Sequence, residues 1–237
     1  MKKTVLILIL VSLASCNYLE DLADEMKGFQ KQTIDKNDYK YVIDKKNRRG
    51  YVTIDNKIMD GIYIVLQDSV LYEELHIKDG FLHGPYYYFN SEGNITLEAT
   101  YYHSYRDGFE KIYYKNGTIR SEKEFKRGKP TGTEYRYDET GTLVQKEIVE
   151  DGITYKHQYY QGKHTGTEYL KTIQGESFLI FLKYDNLGNI KLILGKQEPV
   201  NSSEFYVFAP NFDVIEVVNP NLDPETAQYY FSMLQDF

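Results

Sequence analysis

Glycines recur in this chain at a fixed interval, and this repeat constrains the fold more than any other feature of the sequence. The first column, spaced by 24 residues, is Gly84, Gly108 and Gly132. Nine residues later the same interval returns in a second column of Gly93, Gly117 and Gly141. A third column stands four residues before the first and contains Gly80, Ser104, Gly128 and Gly162. A fourth unit carries Gly166 and Gly175 after ten additional residues. Columns that stay in phase indicate one supersecondary unit repeated along the chain.

The composition of each unit predicts a β-hairpin. Polar and aromatic residues alternate over residues 134–137, which is the period of two expected of a strand. The second-column glycines then close the hairpin, because glycine adopts positive φ without steric cost. Segments such as 127–132 are expected to be loops that lead to the next hairpin. The ten additional residues predict one more strand over 153–160, after a turn at Asp151-Gly152.

These patterns predict an all-β fold, namely an elongated antiparallel meander of 24-residue β-hairpin repeats. We expect a signal segment at 1–15, a tether with a short helix at 16–38, the repeat domain at 39–195 and a C-terminal region at 196–237. Within that last region, Asp223 suits an N-cap and Pro224 the first helical position. The helix that follows is expected to cap the sheet through one apolar face, which consists of Ala227, Tyr230, Phe231 and Leu234.

The N-terminus has the pattern of a secretory signal. Two lysines precede an aliphatic run at 5–11 that is too short to span a bilayer, and small residues close it. Leu13-Ala14-Ser15-Cys16 resembles the lipobox of bacterial lipoproteins, and Cys16 is the only cysteine of the chain. The resemblance implies acylation of Cys16 and a lipid-anchored location in the cell envelope: the outer membrane, either facing the periplasm or exposed at the surface. The alternative interpretation of this segment is a buried N-terminal strand.

Residues 117–137, GTIRSEKEFKRGKPTGTEYRY, resemble the bacterial variant of the MORN repeat, and the resemblance extends over roughly residues 60–190. That variant also occurs in the antitoxin component of certain toxin–antitoxin pairs, the YwqK-type proteins. The resemblance implies a twisted antiparallel sheet of hairpins, in proteins that range from scaffolds to antitoxins. This chain departs from the family in having no Trp in its first strands. The lipobox is a second departure, because antitoxins that neutralise cytosolic toxins would not need one.

Charge and motif content argue against several functions. With 28 Lys and Arg against 35 Asp and Glu, the chain has a formal charge of −7, which disfavours nucleic-acid binding. The five histidines form no metal-binding spacing, and no phosphate-binding or nucleophile-elbow motif occurs. We therefore predict no catalytic residue, no metal, no cofactor and no enzymatic activity. His83 and His164 are interpreted as solvated loop residues.

The 24 tyrosines and 12 phenylalanines supply the one feature with binding potential. A stripe is predicted to line up across successive hairpins, formed by Tyr87, Phe89, Tyr113, Tyr135, Tyr137 and Tyr169. Tyr86 and Tyr88 are expected on the opposite face. Either set could be core, and an exposed set would mark an interaction surface.

Three functional hypotheses remain open from the sequence. The first is a non-enzymatic binding or scaffold module for a protein or an envelope polymer. The second, which comes from the MORN resemblance, is an antitoxin-like or immunity protein that neutralises a toxin. The third is an enzyme acting on envelope polymers. The oligomeric state is not indicated by any pattern in the sequence.

Overall fold

The computed structural model describes residues 26–199 and 202–235, so the predicted signal segment, Cys16 and most of the predicted tether helix lie outside the described residues. The described residues form seventeen β-strands, a short 3-10 helix and one α-helix. The predicted all-β class, the hairpin meander and the C-terminal helix are confirmed. The chain divides into two compact units, Met1–Gly132 and Thr133–Phe237.

The described part of the first unit, from residue 26 onward, contains nine complete strands. Their bounds are β1 (Lys31–Asp35), β2 (Tyr39–Ile43), β3 (Arg49–Thr53), β4 (Gly61–Gln67), β5 (Val70–Lys78), β6 (Phe81–Phe89), β7 (Ile95–Tyr102), β8 (Tyr105–Tyr113) and β9 (Ile119–Lys126). From β4 to β9 each strand pairs antiparallel with the next.

Strand β10 (Lys129–Tyr137) contains the division between the units. The second unit continues with β11 (Leu143–Glu150), β12 (Ile153–Tyr160), β13 (Lys163–Ile173), β14 (Glu176–Tyr184), β15 (Ile190–Glu198), β16 (Phe205–Phe208), β17 (Val214–Val218) and the helix α1 (Pro224–Gln235). Consecutive strands from β10 to β17 pair antiparallel. Strand β12 has the bounds predicted for the additional limb of the fourth unit.

Two kinds of turn alternate along the hairpins. At one end the third turn residue has positive φ, as at Gly93, and an Asn or Asp side chain three residues earlier accepts backbone N–H groups. Asn90 Oδ1, for example, accepts from the backbone N of Glu92 at 2.9 Å and of Asn94 at 3.0 Å. At the other end, two consecutive residues have positive φ, as at Arg127-Gly128, which is the two-residue hairpin turn suited to strand twist. Each 24-residue repeat therefore contains one turn of each kind.

The structure corrects the prediction that the segments between hairpins, which contain the first and third glycine columns, are loops. Segment 127–132 is not a connecting loop, because β10 begins at Lys129 directly after the two-residue turn. Gly84 and Gly108 are not turn residues either; they lie within β6 and β8 at φ +101° and +114°. Both stand at irregularities of the ladder in which their own strand carries the extra residues. Four steps of β6, from Leu82 to Tyr86, face two steps of β5, and four steps of β8, from Arg106 to Glu110, face two steps of β7.

The predicted tether is wrong for residues 31–38. Residues Lys31–Asp35 form β1, which pairs in parallel with β4, and a 3-10 helix (Lys36–Asp38) follows. Ile34 packs against the hydrophobic core of the first unit, and Lys31 Nζ lies 3.0 Å from Glu74 Oε1. Backbone pairing and this apolar contact explain why the segment belongs to the sheet.

The core of the first unit lies among β2 to β6. Its buried members, which we call the first core cluster, are Tyr39, Tyr51, Met59, Tyr63, Val65, Leu75, Ile77 and Leu82. Tyr86 and Tyr101 pack against this cluster. This face is built from alternate residues of each strand, because successive side chains of a strand point to opposite faces.

The second unit has an apolar cluster on each face of its sheet. Helix α1 covers one cluster through Ala227 and Tyr230, which pack with Leu194 and Val207. The other cluster contains Phe178, Ile180, Ile193 and Phe208. As predicted, Asp223 caps the helix, since its Oδ1 accepts from the backbone N of Thr226 at 3.0 Å. Among the described residues, no helix combines the length and hydropathy that crossing a membrane requires.

The predicted domain boundary between residues 195 and 196 falls inside β15 and is therefore wrong. Gly195 pairs with Ile180 on one side and with Tyr206 on the other. A Cβ atom on Gly195 would stand 2.5 Å from the ring of Phe208, so glycine is needed there for close packing and does not mark a linker.

Candidate functional site

Strand register in the first unit separates the two predicted sets of tyrosines onto opposite faces. Tyr86 pairs with Ala99 of β7, whereas Tyr87 pairs with Glu98. We call the face with Tyr86, Tyr88 and Ala99 the inner face, and the face with Tyr87, Phe89 and Glu98 the outer face.

The inner face belongs to the core. Tyr86 packs against the first core cluster, and the ring of Tyr88 meets that of Tyr72 edge-on at a centroid distance of 4.9 Å. The Tyr86 hydroxyl donates to Glu73 Oε2 at 2.9 Å. Glu73 is only 5% exposed. Tyr86 is therefore a structural residue that satisfies a buried carboxylate.

Glu73 is held by two further residues from the N-terminal segment. Lys36 Nζ lies 2.7 Å from Glu73 Oε1, and the buried hydroxyl of Tyr39 donates to the same oxygen. Burial raises the pKa values of Tyr39 and Tyr86 well above the usual tyrosine range, and their contact with Glu73 raises them further. The network keeps a charged group satisfied inside an aromatic core, which is the condition for burying it.

The outer face carries the predicted stripe residues Tyr87, Phe89 and Tyr113, all half-buried. The Tyr113 hydroxyl donates to Glu98 Oε2 at 2.7 Å. Burial is the main cause that raises the pKa of Tyr113, and the Glu98 carboxylate adds to it. Glu98 also raises the pKa of Tyr87, after the larger effect of burial. The structure therefore places a carboxylate between two tyrosines on the solvent side of the sheet.

Neighbouring carboxylates on the outer face have cationic partners. Strand register aligns Glu74, Tyr87, Glu98, Lys111 and Glu122 in one row across β5 to β9. Glu74 Oε1 lies 3.0 Å from Lys31 Nζ and 2.8 Å from His76 Nε2. Glu122 Oε2 lies 3.6 Å from Lys111 Nζ.

The remaining stripe residues, Tyr135, Tyr137 and Tyr169, lie in the second unit and are half-buried. Tyr135 pairs with Lys146 of β11, in the row that continues to His157. Tyr169 packs against the apolar cluster that α1 does not cover, and its ring lies 5.1 Å from that of Tyr155. Tyr169 thus contributes to packing in the second unit.

A cluster that sequence reasoning missed surrounds Thr167 in the second unit. Its Oγ1 lies 3.0 Å from His157 Nδ1, 2.9 Å from His164 Nε2 and 3.4 Å from the Tyr184 hydroxyl. The rings of His157 and His164 are 5.0 Å apart. His164 Nε2 also lies 2.8 Å from the carbonyl oxygen of Gly166, to which it donates.

The interpretation of His83 and His164 as solvated loop residues is wrong. His83 lies in β6 with no exposed surface, and its ring packs against those of Tyr102 and His103. His164 is half-buried in β13. Periodicity could have indicated this, since both residues stand one or two positions before a glycine that belongs to a strand.

Burial lowers the pKa values of both His157 and His164, and the proximity of His164 lowers that of His157 further. Lys146 also lowers the pKa of His157, whereas Glu150 raises it. Two imidazolium groups at this distance would repel each other, so the neutral forms suit the cluster.

We also searched the described residues for a metal site and for a groove that could hold a ligand. No group of three or more His, Cys, Asp or Glu side chains there is placed to hold a metal ion. An open groove of about 640 Å³ adjoins His164 and is lined by polar residues that include Lys163 and Asp185.

No protein-family model matches the chain, and no curated protein shows significant similarity to it. The resemblance to the MORN repeat therefore depends on the residues of the repeat alone.

We expect Tyr86→Phe to destabilise the first unit by about 1.5–3 kcal/mol, because it removes a hydrogen bond to a charged, buried group. Tyr87→Phe is the matched control on the adjacent, outer position and is expected to change the free energy of unfolding by less than about 0.5 kcal/mol. Urea unfolding followed by near-ultraviolet circular dichroism of the tyrosines measures both. Equal losses in the two variants would contradict the assignment of inner and outer faces.

We expect the free energy of unfolding of the second unit to fall as the pH drops below about 6.5, the usual histidine pKa of an unfolded chain. Since the folded-state pKa values of His157 and His164 are lower, the unfolded state takes up protons first and is stabilised by acid. The double variant His157→Asn/His164→Asn should therefore lose less stability between about pH 7.5 and about pH 5.5 than the parent chain.

The measurement is the urea midpoint at the two pH values. His103→Asn, which changes a turn residue of the first unit, serves as the control and should keep the pH dependence of the second unit. An unchanged pH dependence in the double variant would show that this cluster is not its source.

Proposed function

We propose that this chain is a lipid-anchored protein of the cell envelope whose repeat sheet binds a protein or an envelope polymer without catalysing a reaction. The single observation that carries the proposal is the outer face, where Tyr87, Phe89 and Tyr113 stand half-exposed beside Glu98. Aromatic side chains that are not required by the core and remain accessible to solvent are typical of interaction surfaces.

The geometry supports binding because the core is complete without these side chains. The first core cluster is built from inner-face residues such as Leu75, together with the Glu73 network. Tyrosine suits a surface of this kind, since it offers a large rigid ring together with a hydroxyl group that tolerates water. Affinity would come from shape and from the rings, and the acidic balance of the chain would favour a basic partner.

The location rests on the lipobox resemblance at Leu13-Ala14-Ser15-Cys16. Acyl chains on Cys16 would contribute about 0.8 kcal/mol for each buried CH₂ group, which is sufficient for stable anchoring when several chains are present. Anchoring would hold the binding face close to the other components of the envelope.

For the anchor, we expect Cys16→Ala to move the protein from the membrane fraction to the soluble fraction, because the acylated thiol is lost. Fractionation of cells that express the full chain, followed by immunoblotting, measures this. Ser12→Ala, which leaves the four-residue motif intact, should remain with the membranes. Membrane association of Cys16→Ala equal to that of the parent chain would exclude lipid anchoring through this residue.

For the binding face, we expect Tyr87→Ser/Tyr113→Ser to reduce capture of envelope material at least about tenfold, since aromatic anchors dominate the energy of most interfaces. The detergent-solubilised full chain serves as bait for solubilised envelope polymers and proteins. Tyr41→Ser/Tyr229→Ser, which changes two exposed tyrosines elsewhere, is the control and should capture normally. A lower melting temperature with unchanged capture would show that Tyr87 and Tyr113 serve packing only.

A further inference from the structure

Among the residues that the structure describes, the row of charges on the outer face contains more carboxylates than cations. It contains three carboxylates, on Glu74, Glu98 and Glu122, and two lysines reach it, Lys31 and Lys111. His76 adds no charge at neutral pH, because burial lowers its pKa. Counted over the described residues, the row therefore has one negative charge in excess.

The ion-pair distances distinguish Glu98 from the other two carboxylates of the row. Lys31 Nζ lies 3.0 Å from Glu74. The register places Lys111 opposite both Glu98 and Glu122, but its Nζ is within ion-pair distance of Glu122 alone, at 3.6 Å, so Glu98 forms no ion pair among the described residues. Its Oε2 accepts a hydrogen bond from the Tyr113 hydroxyl, and its Oε1 has no hydrogen-bond partner among the described residues. Glu98 is half-exposed, so a group arriving from solvent can reach it.

Two aromatic rings flank the same carboxylate. Tyr87 stands directly opposite Glu98 on β6, where paired Cβ atoms are about 5 Å apart. Tyr113 reaches Glu98 from β8 on the other side. A cation above tyrosine rings gains cation–π attraction, and beside a carboxylate it gains a charge-assisted hydrogen bond.

We propose that Tyr87, Glu98 and Tyr113 form a seat for a lysine or arginine side chain of a partner polypeptide. The inference rests on the proposed function and gives the outer face one class of partner, a basic protein segment. Phe89 favours such a side chain, since it follows Tyr87 on the same face and can pack against an aliphatic stem. A neutral glycan has no cation with which to complete the row.

The test measures binding of a synthetic lysine-rich peptide to the detergent-solubilised full chain by isothermal titration calorimetry. We expect Glu98→Gln to weaken binding about tenfold, the effect of losing one charge-assisted hydrogen bond. The same peptide with acetylated lysines should bind the parent chain at least about tenfold more weakly, which checks the inference without any variant.

Glu124→Gln is the matched control, because it removes an equal charge from the same face. Glu124 pairs with Phe109 and is not flanked by Tyr87 and Tyr113. A loss of affinity in Glu124→Gln as large as in Glu98→Gln would overturn the seat in favour of general electrostatic attraction. An acetylated peptide that binds as well as the unmodified one would overturn it as well.

Two further outcomes separate this inference from the proposed function. A glucosamine oligomer that binds in a Glu98-dependent manner, where the peptide does not bind, would overturn the polypeptide as partner. Tyrosine-dependent capture of envelope material with no effect of Glu98→Gln would overturn the seat and leave the proposed function standing. Failure of both the tyrosine and the Glu98 variants to change binding would remove both.

Discussion

The register of each hairpin is the constraint on which the rest of this structure depends. It is set by turn residues with positive φ, either two in succession, as at Arg127-Gly128, or one glycine after an Asn or Asp that caps the turn, as at Gly93. A shift of one residue would exchange the two faces of a strand. Tyr86 would then leave the core and Tyr87 would enter it, so the aromatic outer face exists only because the turns hold the register.

Two glutamates, Glu73 and Glu98, show that carboxylates on the two faces of the first unit have different numbers of partners within the chain. Glu73 is buried on the inner face and receives a lysine and two tyrosine hydroxyl groups from its own chain. Glu98 stands on the outer face with a single tyrosine hydroxyl and access to water. Burial requires that a charge be fully satisfied internally, whereas a half-exposed charge can be completed by a partner.

The second unit follows the same hairpin rules and buries its apolar residues differently. Helix α1 covers one face of its sheet, while rings and aliphatic side chains pack on the other. Around Thr167 the second unit carries two histidines, His157 and His164, whose pKa values are lowered by burial. Copies of one repeat have thus acquired different side-chain chemistry on a common backbone.

The sequence by itself determined the local structure. Glycine spacing and period-two alternation predicted the hairpins and the additional strand Ile153–Tyr160, and the pair Asp223-Pro224 predicted the start of the C-terminal helix. Both predictions were possible because turn conformation and helix capping depend on residues close together in the chain. Only the tertiary structure decided which face was core, that Lys31–Asp35 joins the sheet, and that Gly195 lies under Phe208. It also decided which carboxylate of the outer row forms no ion pair with another described residue. These outcomes depend on pairing between strands distant in sequence, and repeat columns carry no information on which distant side chain will stand opposite.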